Sequence, residues 1–498
     1  MAYSVVFALA LFLLFYHLDN RLLWGDEAET ALLAKNILRF GIPKTMDGVN
    51  HIDLVGHFRD ENAAHIWTWS PWLQEYLVAG MYALFGVSTW TSRVIFAAVG
   101  WFCVILLARV AYRIYRDHRV ALGSAFLLAT SEIFLLHSRQ CRYYSVIVFG
   151  EILLVYGAFE LLANHKRAVW LISSALILQF YANFIVAVAN LPLLIALAWF
   201  TRKERQPLIK LATAIGLFGV ATLPWLTYAP PWEQSKVLRH DRLVTKALGY
   251  FIEWNFHFVP WVLLLLPVAV FFIRARPPQL STTIRIKSLE QSLSILVVGY
   301  LVILLLPPLE LRYLLPLLPV GCLLVSTWLF RYVPWSSVAV VLIVIQSATN
   351  IIPIVSTFGL SREHTWRVPL IQFVRGINQN YADRFTDLRT FFLREAQPGQ
   401  SVLVRDPEFP LIFYTGLKII DGRFEQPDSP PDWILPQSAS GLFELGRRAI
   451  PETLEVYYDS IVIRVHDSDR FDNVPEPDRY QYNSTEKMTD FVVYRKKM

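Results

Sequence analysis

The dominant pattern along this chain is a series of long apolar runs separated by short polar segments. The runs are close to the 17 to 25 residues of a helix that crosses a bilayer core of about 30 Å. A transmembrane barrel would instead show alternating segments of about 10 residues. The pattern therefore predicts membrane-spanning helices. The runs lie at about 3–18, 71–86, 89–112, 120–137, 144–163, 168–183, 184–200, 208–228, 255–273, 291–306, 312–330 and 335–356.

The basic residues between these runs predict the orientation of the helices. Cytoplasmic loops of membrane proteins carry an excess of Lys and Arg. The basic clusters all fall on one side only if one early run does not cross, and the run at 72–85, which is short and contains Gln74 and Glu75, is the weakest candidate. We therefore expect about eleven spans, with the N-terminus inside and the C-terminus outside. The clusters lie at 109–119, 165–167, 202–210, 274–287 and Arg331.

The composition changes after about residue 356. Charged residues become more frequent, and the apolar segments shorten to the length of strands: "SVLV" at 401, "LKIID" at 417, "DSIVIRV" at 459 and "FVVYRK" at 491. This pattern predicts a transmembrane domain over 1–356 and a soluble extracytoplasmic domain over 357–498 of the α/β or α+β class. The predicted fold class is thus a polytopic α-helical membrane protein with a C-terminal extracytoplasmic domain.

Composition and charge agree with a membrane protein and exclude other classes. Of the 498 residues, 55% are hydrophobic and 17% charged, whereas average soluble domains carry about 25% charged residues. The net charge of +6 comes from short clusters, not from a continuous basic stripe, so a nucleic-acid partner is not expected. Three cysteines cannot build a disulfide framework and are predicted to pack within the membrane domain. The first apolar run has no basic segment before it, which favours a retained first span over a signal peptide.

An acidic pair follows the first predicted span. In "LLWGDEAETALLAKNILRFGIP", Asp26 and Glu27 open an amphipathic helix that ends near Gly41. One interpretation is a capping box with Asp26 as N-cap and Glu29 as its N3 partner. The other is catalysis, because a carboxylate fixed at the membrane boundary is well placed to take a proton from a substrate hydroxyl or amine. We select Asp26 and Glu27 as candidate catalytic residues.

Arginines and tyrosines mark two short connections on the predicted outer face. Arginines there do not follow the positive-inside rule and need another explanation. Binding of an anion is one, since the guanidinium group presents a fork of donors suited to phosphate. Snorkelling to lipid headgroups is the alternative, and Glu310 offers a simple ion-pair partner for the second connection. The candidate phosphate-binding residues are Arg139, Arg142, Tyr143, Arg312 and Tyr313.

Two further polar loops carry candidate binding residues. The predicted external loop 230–254 either guides an anionic headgroup or faces water, and its candidates are Lys236, Arg239 and His240. The first predicted external loop, 19–88, is expected to carry juxtamembrane helices. It is rich in metal-ligating residue types, but their spacing matches no specific metal signature. A solvated polar loop and a divalent metal site are therefore both open. These residues are His51, Asp53, His57, Asp60, Glu61 and His65.

Several motifs together carry a resemblance to a known family. They are the Asp-Glu pair, a helix ending in Gly-x-Pro, "SPWLQEYLVAGMYALFG" followed by "TSRVIFAAVGW", an Arg-x-x-Arg-Tyr-Tyr turn and "RYLLPLLP". Over about residues 20–356 the chain resembles the membrane-embedded GT-C glycosyltransferases. The branch it resembles is that of the dolichyl-phosphate-mannose protein mannosyltransferases and the bacterial aminoarabinose transferases of lipid A. It departs from the aminoarabinose branch at 28–30, where that branch has Thr-Arg-Tyr, and at 69–72, where it has Glu-Lys-Pro-Pro.

The resemblance implies a glycosyltransferase that acts on the outer face of the cytoplasmic membrane. A hexosyl or pentosyl group would pass from a polyprenyl-phosphate donor to a lipid, glycan or protein acceptor. It implies Asp26 as the base of an inverting single displacement, with arginines holding the leaving phosphate. The departures leave the use of a divalent metal cofactor open.

Two other functions remain as alternatives. A transporter or lipid flippase would carry ionisable residues deep within its spans and broken half-helices, whereas the charges here are expected at the outer boundary. A structural or assembly subunit would explain the C-terminal domain but gives the acidic pair and the outer arginines no role.

Overall fold

The computed structural model describes residues 1–498 except 53–60, 231–242, 266–282, 306–309, 334, 357–365, 380–382, 405–408, 422–428, 436–453, 467–486 and 498. The helices are α1 Ala2–Phe15, α2 Gly25–Phe40, α3 Leu73–Phe85, α4 Thr89–Tyr115, α5 His118–Ala129, α6 Glu132–Ser138, α7 Tyr144–Leu162, α8 Ala168–Ala182, α9 Phe184–Ala189, α10 Leu191–Thr201, α11 Arg205–Tyr228, α12 Leu243–Glu253, α13 Ile284–Ile303, α14 Leu317–Tyr332, α15 Ser336–Ala348, α16 Ile351–Ser356, α17 Pro369–Asn378, α18 Arg384–Glu395, α19 Phe409–Thr415 and α20 Leu454–Tyr457. The strands are β1 Ser401–Val404, β2 Lys418–Asp421, β3 Trp433–Ile434, β4 Tyr458–His466 and β5 Met488–Lys496.

The chain forms two compact units. The helical unit comprises Met1–Tyr16 and Phe96–Arg375. The mixed unit comprises His17–Ile95 and Gly376–Met498, so it joins the first predicted external loop to the C-terminal residues. The domain boundary that the sequence places near residue 356 stays a prediction.

Long apolar helices dominate the chain. Within the described residues, five helical segments are long and apolar enough to cross a membrane, or six if the pair α5 and α6, bent by 61°, is one span. The helical membrane fold is thereby confirmed, while the total of eleven spans stays a prediction. The five segments are Thr89–Tyr115, Tyr144–Leu162, Phe184–Thr201, Arg205–Tyr228 and Ile284–Ile303.

The run at 72–85 forms helix α3, of 13 residues. A perpendicular span needs about 20 residues, so this helix is too short to cross by itself. It packs against the amphipathic helix α2, and the Tyr76 hydroxyl donates to the Gly41 carbonyl at 2.8 Å. Gly41 ends α2 in the left-handed conformation, with φ of +77°. That this run does not cross stays a prediction.

Polar side chains join neighbouring helices inside the helical unit. Glu151, midway along α7, is fully buried and accepts hydrogen bonds from Gln179 at 2.8 Å and Asn190 at 2.9 Å. Glu290 and Arg331 form a buried ion pair of 2.6 Å. The expectation that charges collect at the outer boundary is therefore wrong for Glu151, which lies within a candidate span. Burial among apolar helices is tolerated because each group has polar partners on an adjacent helix.

A five-stranded sheet lies in the mixed unit. Its order is β2-β1-β3-β5-β4, with β1 parallel to β2 and β3, and β5 antiparallel to β3 and β4. The four strands expected from the sequence are all present. Strand β3 has only two residues, too short for an alternating pattern to be visible. Its Ile434 packs in a buried cluster with Leu403, Ile420 and Tyr458.

Hydrogen bonds tie the two segments of the mixed unit together. The Asn50 side chain donates to the Leu417 carbonyl at 3.0 Å and accepts from the Ile419 amide at 2.8 Å. These two hydrogen bonds satisfy backbone groups at β2, the edge strand of the sheet. The Tyr414 hydroxyl accepts from the Leu23 amide at 3.0 Å and lies 2.7 Å from the Thr89 hydroxyl. The C-terminal residues thus anchor both ends of the first loop.

Candidate active site

The acidic pair lies in the first turn of α2. Trp24 is the N-cap, and its backbone amide donates to the Glu27 carboxylate at 3.3 Å, so Glu27 is the N3 residue. Asp26 lies between them within the helix. The capping box with Asp26 as N-cap and Glu29 as N3 is therefore wrong: the helix begins two residues earlier because Glu27 reaches back over the extended Trp24 backbone.

Glu27 is held in a buried ion pair. Its side chain is 1% exposed and receives two parallel hydrogen bonds from the Arg93 guanidinium, at 2.8 and 2.7 Å. The same guanidinium donates to the carbonyls of Leu18 at 3.0 Å, Arg21 at 2.9 Å and Leu22 at 3.2 Å. Arg93 thus fixes the backbone that leads into α2, and Glu27 anchors this arrangement.

Asp26 differs from its neighbours in exposure. Glu27 and Glu29 are each 1% exposed, whereas Asp26 is only partly buried. Its carboxylate lies in the first helical turn, where the helix dipole stabilises negative charge. Of the three carboxylates near the start of α2, Asp26 is therefore the one best placed to exchange a proton with a bound molecule.

The arginines and tyrosines of the two predicted outer connections meet within the helical unit. Arg312 donates to the Tyr144 hydroxyl at 3.2 Å and lies 3.5 Å from Glu310, the ion-pair partner expected from the sequence. Arg142 lies over the Tyr143 ring at 5.5 Å, and that ring is 4.8 Å from the Tyr144 ring. The structure therefore brings together two segments that are about 170 residues apart in the chain.

Three neighbours contact the tyrosines of this cluster. Asn183 donates to the Tyr143 hydroxyl at 2.7 Å, and the His137 ring packs edge-on against Tyr144 with centroids 4.9 Å apart. Tyr300 donates to the Tyr313 carbonyl at 3.2 Å. Two cationic groups supported by fixed aromatic rings form a surface suited to a phosphate group.

Arg139 has a different position from the other arginines. It is 9% exposed and donates to the carbonyls of Leu13 at 2.9 Å and Leu14 at 3.0 Å, which are free at the C-terminal end of α1. This guanidinium stabilises a helix end, as cations do near the negative end of the helix dipole. The candidates Lys236, Arg239 and His240 lie outside the described residues.

Three potential metal ligands of the first loop lie together. The atoms His51 Nε2 and His65 Nδ1 are 3.0 and 2.9 Å from the two oxygens of Glu61, and all three ligand groups fit within 4.8 Å of one another. Burial acts to raise the pKa of Glu61, but its contacts with Thr45, His51 and His65 outweigh burial and hold that pKa below its ordinary value. The other three predicted residues of the loop, at 53, 57 and 60, lie outside the described residues.

The sequence interpretation missed two residues of this region. Arg93 follows the apolar helix α3 and lies on the predicted outer face, so the signal that selected Arg142 was available for it as well. Tyr414 gave no such signal. It lies in an ordinary apolar stretch, "PLIFYTG", and only the tertiary structure brings it to Leu23.

Comparison with known proteins finds a family match over part of the chain. A family model described as dolichyl-phosphate-mannose-protein mannosyltransferase matches residues 70–226. No curated protein matches this sequence.

Solved structures share the fold over most of the chain. The crystal structure of ArnT from Cupriavidus metallidurans bound to undecaprenyl phosphate is 14% identical, with 84% of this chain and 85% of that chain covered and a TM-score of 0.55. The apo state of the same protein is 15% identical over the same shares, with a TM-score of 0.57. The archaeal oligosaccharyltransferase AglB from Archaeoglobus fulgidus, in complex with an inhibitory peptide and a dolichol-phosphate, is 13% identical. The match covers 84% of this chain and 64% of that chain, with a TM-score of 0.53.

The chain shares the fold of ArnT and AglB. Over residues 70–226 it also matches the sequence model of the dolichyl-phosphate-mannose-protein mannosyltransferases. The resemblance inferred from the sequence is thus confirmed, and a transporter is not favoured.

Proposed function

We propose that this protein is a glycosyltransferase that moves a sugar from a polyprenyl-phosphate donor to an acceptor on the outer face of the cytoplasmic membrane. One observation carries the proposal: on a GT-C fold, Asp26 stays accessible in a helical turn whose other acidic residue, Glu27, is fixed by Arg93. The structure of ArnT contains undecaprenyl phosphate, and that of AglB contains a dolichol-phosphate. Both ligands are phosphates on long isoprenoid chains, which supports the same donor class here.

The proposed reaction is a single displacement. The acceptor hydroxyl or amine gives its proton to the Asp26 carboxylate as its oxygen or nitrogen forms a bond to the anomeric carbon. The bond from that carbon to the phosphate oxygen breaks, and both electrons leave with polyprenyl phosphate. Arg142 and Arg312 stabilise the charge on the leaving phosphate. Because no sugar becomes bound to the protein, the anomeric configuration inverts.

The test of this function is turnover with defined donors. Purified protein in detergent or lipid nanodiscs is incubated with a panel of polyprenyl-phosphate sugars and acceptor lipids, glycans or peptides, and released polyprenyl phosphate is measured. We expect release from at least one donor that depends on an acceptor. No release from any donor, together with transfer of labelled lipid between leaflets, would instead support a flippase.

The proposed orientation can be tested by labelling single cysteines. Wild-type Cys103, Cys141 and Cys322 are buried, so their background reaction is low. Cysteines placed at the exposed positions Val49 and Ser88 should react with an impermeant thiol reagent from outside. A cysteine at the exposed Lys203 should react only after permeabilisation. Protection of Ser88→Cys in intact cells would show that α3 crosses the membrane.

Conservative replacement of the arginines separates phosphate recognition from general charge. Arg142→Lys and Arg312→Lys keep the charge but lose the bidentate fork, so donor affinity and single-turnover rate should both fall. The alanine variants should lose more, since the leaving phosphate then lacks a counter-charge. Arg202→Lys, at a polar loop outside the cluster, is the matched control. Wild-type donor binding in both cluster variants would remove the phosphate site from this cluster.

A further inference from the structure

The first loop contains a cluster of metal-ligating groups that the proposed transfer reaction does not use. We propose that His51, Glu61 and His65 bind one divalent transition-metal ion of the zinc class. Two imidazoles and one carboxylate are the ligand types that zinc takes at sites with three protein ligands. Such a site keeps its fourth position for water or for an oxygen of another molecule.

The distances between the groups suit such an ion. Zinc lies about 2.0–2.2 Å from imidazole nitrogens and carboxylate oxygens, so tetrahedral ligand atoms are about 3.3 Å apart. The two contacts of Glu61 are already 3.0 and 2.9 Å, and the whole set lies within 4.8 Å. These two contacts are to different oxygens of Glu61, so binding one ion requires the three ligand atoms to draw closer together. The two imidazole rings stand edge-on with centroids 5.7 Å apart.

The backbone around the cluster holds the three side chains on one centre. Short bridges pair Met46 with His51, Lys44 with Ile66, and Glu61 with Trp67. The backbone amide of Thr45 donates to the His65 carbonyl at 2.9 Å, and its hydroxyl donates to the Glu61 carboxylate. Each ligand therefore lies on, or next to, a residue fixed by backbone hydrogen bonds. Such support of the first ligands is what metal sites require for affinity.

His65 has an unusual backbone conformation. Its φ is +56°, a left-handed value that costs energy for a residue other than glycine. The Asn62 side chain maintains it by accepting hydrogen bonds from the amides of Ala64 at 3.0 Å and Ile66 at 3.1 Å. This conformation directs the His65 ring back onto Glu61. Strain that neighbouring groups maintain in this way is typical of functional sites.

Two groups of the cluster are shielded from solvent. His51 Nε2 is shielded and lies 3.0 Å from Glu61. Glu61 is also shielded, at 8% exposure, while His65 is half exposed. The open coordination position therefore faces the solvent side, near His65.

The experiment measures bound metal directly. The full-length protein is purified in detergent through a tag without histidines, stripped with a chelator, equilibrated with Zn²⁺ and analysed by mass spectrometry of the metal. We expect about one zinc per chain. His51→Ala and Glu61→Gln remove the two shielded ligands and should lose the metal. His65→Ala removes the half-exposed ligand and should only weaken binding. His118→Ala, an exposed histidine outside the cluster, should retain the wild-type content.

A second measurement keeps the test independent of folding and of turnover. Co²⁺ in the stripped wild-type protein should give the absorption bands of tetrahedral coordination, and Zn²⁺ should displace them. Zinc should also raise the melting temperature of the wild type, since it binds the folded state, and leave that of His51→Ala unchanged. An octahedral Co²⁺ spectrum, or wild-type zinc content in both His51→Ala and Glu61→Gln, would overturn the proposal. Either result leaves the glycosyltransferase proposal untouched, because no turnover is measured.

Discussion

Asp26→Asn should lose most of its turnover, by about 10²- to 10⁴-fold, while its fold and donor affinity stay near those of the wild type. Asparagine has nearly the same shape as aspartate but cannot accept a proton at neutral pH. Asp26 lies inside the first turn of α2, and the cap functions belong to Trp24 and Glu27. The substitution therefore tests proton transfer and leaves the cap intact.

The measurement is single-turnover release of polyprenyl phosphate, with donor binding followed separately. Asp47→Asn is the matched control, since Asp47 lies in the same unit and its side chain accepts from the amides of Val49 and Asn50 at 2.7 Å, as asparagine also can. We expect that control to keep its activity. Near-wild-type turnover in Asp26→Asn would remove Asp26 as the base, and Glu27→Gln would then be the variant to measure.

Breaking the ion pair between Glu27 and Arg93 should have the largest effect on stability. Glu27→Ala leaves the Arg93 guanidinium buried with backbone carbonyls but no counter-charge, which typically costs about 3–5 kcal/mol. We expect a much lower melting temperature in detergent and a loss of turnover that follows the loss of folded protein. Glu27→Gln should cost less, because its amide oxygen can still accept from Arg93.

A double-mutant cycle assigns the effect to the pair. Arg93→Gln and Glu27→Gln together should cost less than the sum of the single changes, since the two groups act on each other directly. Glu204→Gln, at an exposed loop position, is the control and should change stability little. A Glu27→Gln protein with wild-type stability but no turnover would contradict a positioning role and would support direct participation of Glu27 in the chemistry.

The sequence predicts the helical membrane fold well because a bilayer imposes one length and one composition on every span. The prediction that 72–85 does not cross rests on Gln74 and Glu75, which raise the cost of insertion, and it stays a prediction. Both side chains are buried within the structure, where Gln74 donates to Glu75 at 2.8 Å. Strand β4 is visible because its apolar residues form a segment of strand length. A two-residue strand such as β3 leaves no period to detect.

The candidate site is predicted less completely because residue type alone does not reveal a partner. The sequence selects Asp26 and Glu27 together, yet only the structure shows that Glu27 is buried against Arg93 while Asp26 keeps access to solvent. Likewise, Arg139 and Arg142 are three positions apart and look equivalent. The Arg139 guanidinium binds the carbonyls at the end of α1, a contact across more than a hundred residues that no local pattern encodes.

The contact of Tyr414 with Thr89 also fixes the order in which parts of the mixed unit can form during synthesis. The two residues are 325 positions apart, and ribosomes add about 5–20 residues per second, so Thr89 waits on the order of tens of seconds for its partner. During that interval, the segment that carries Asp26 is made without the contact that later anchors Leu23. A nascent chain that stops before Tyr414 already contains every long apolar helix described here and can be inserted in the membrane. It still lacks the hydrogen bond between Tyr414 and Leu23, so the segment that carries Asp26 is completed only after the long apolar helices have been made.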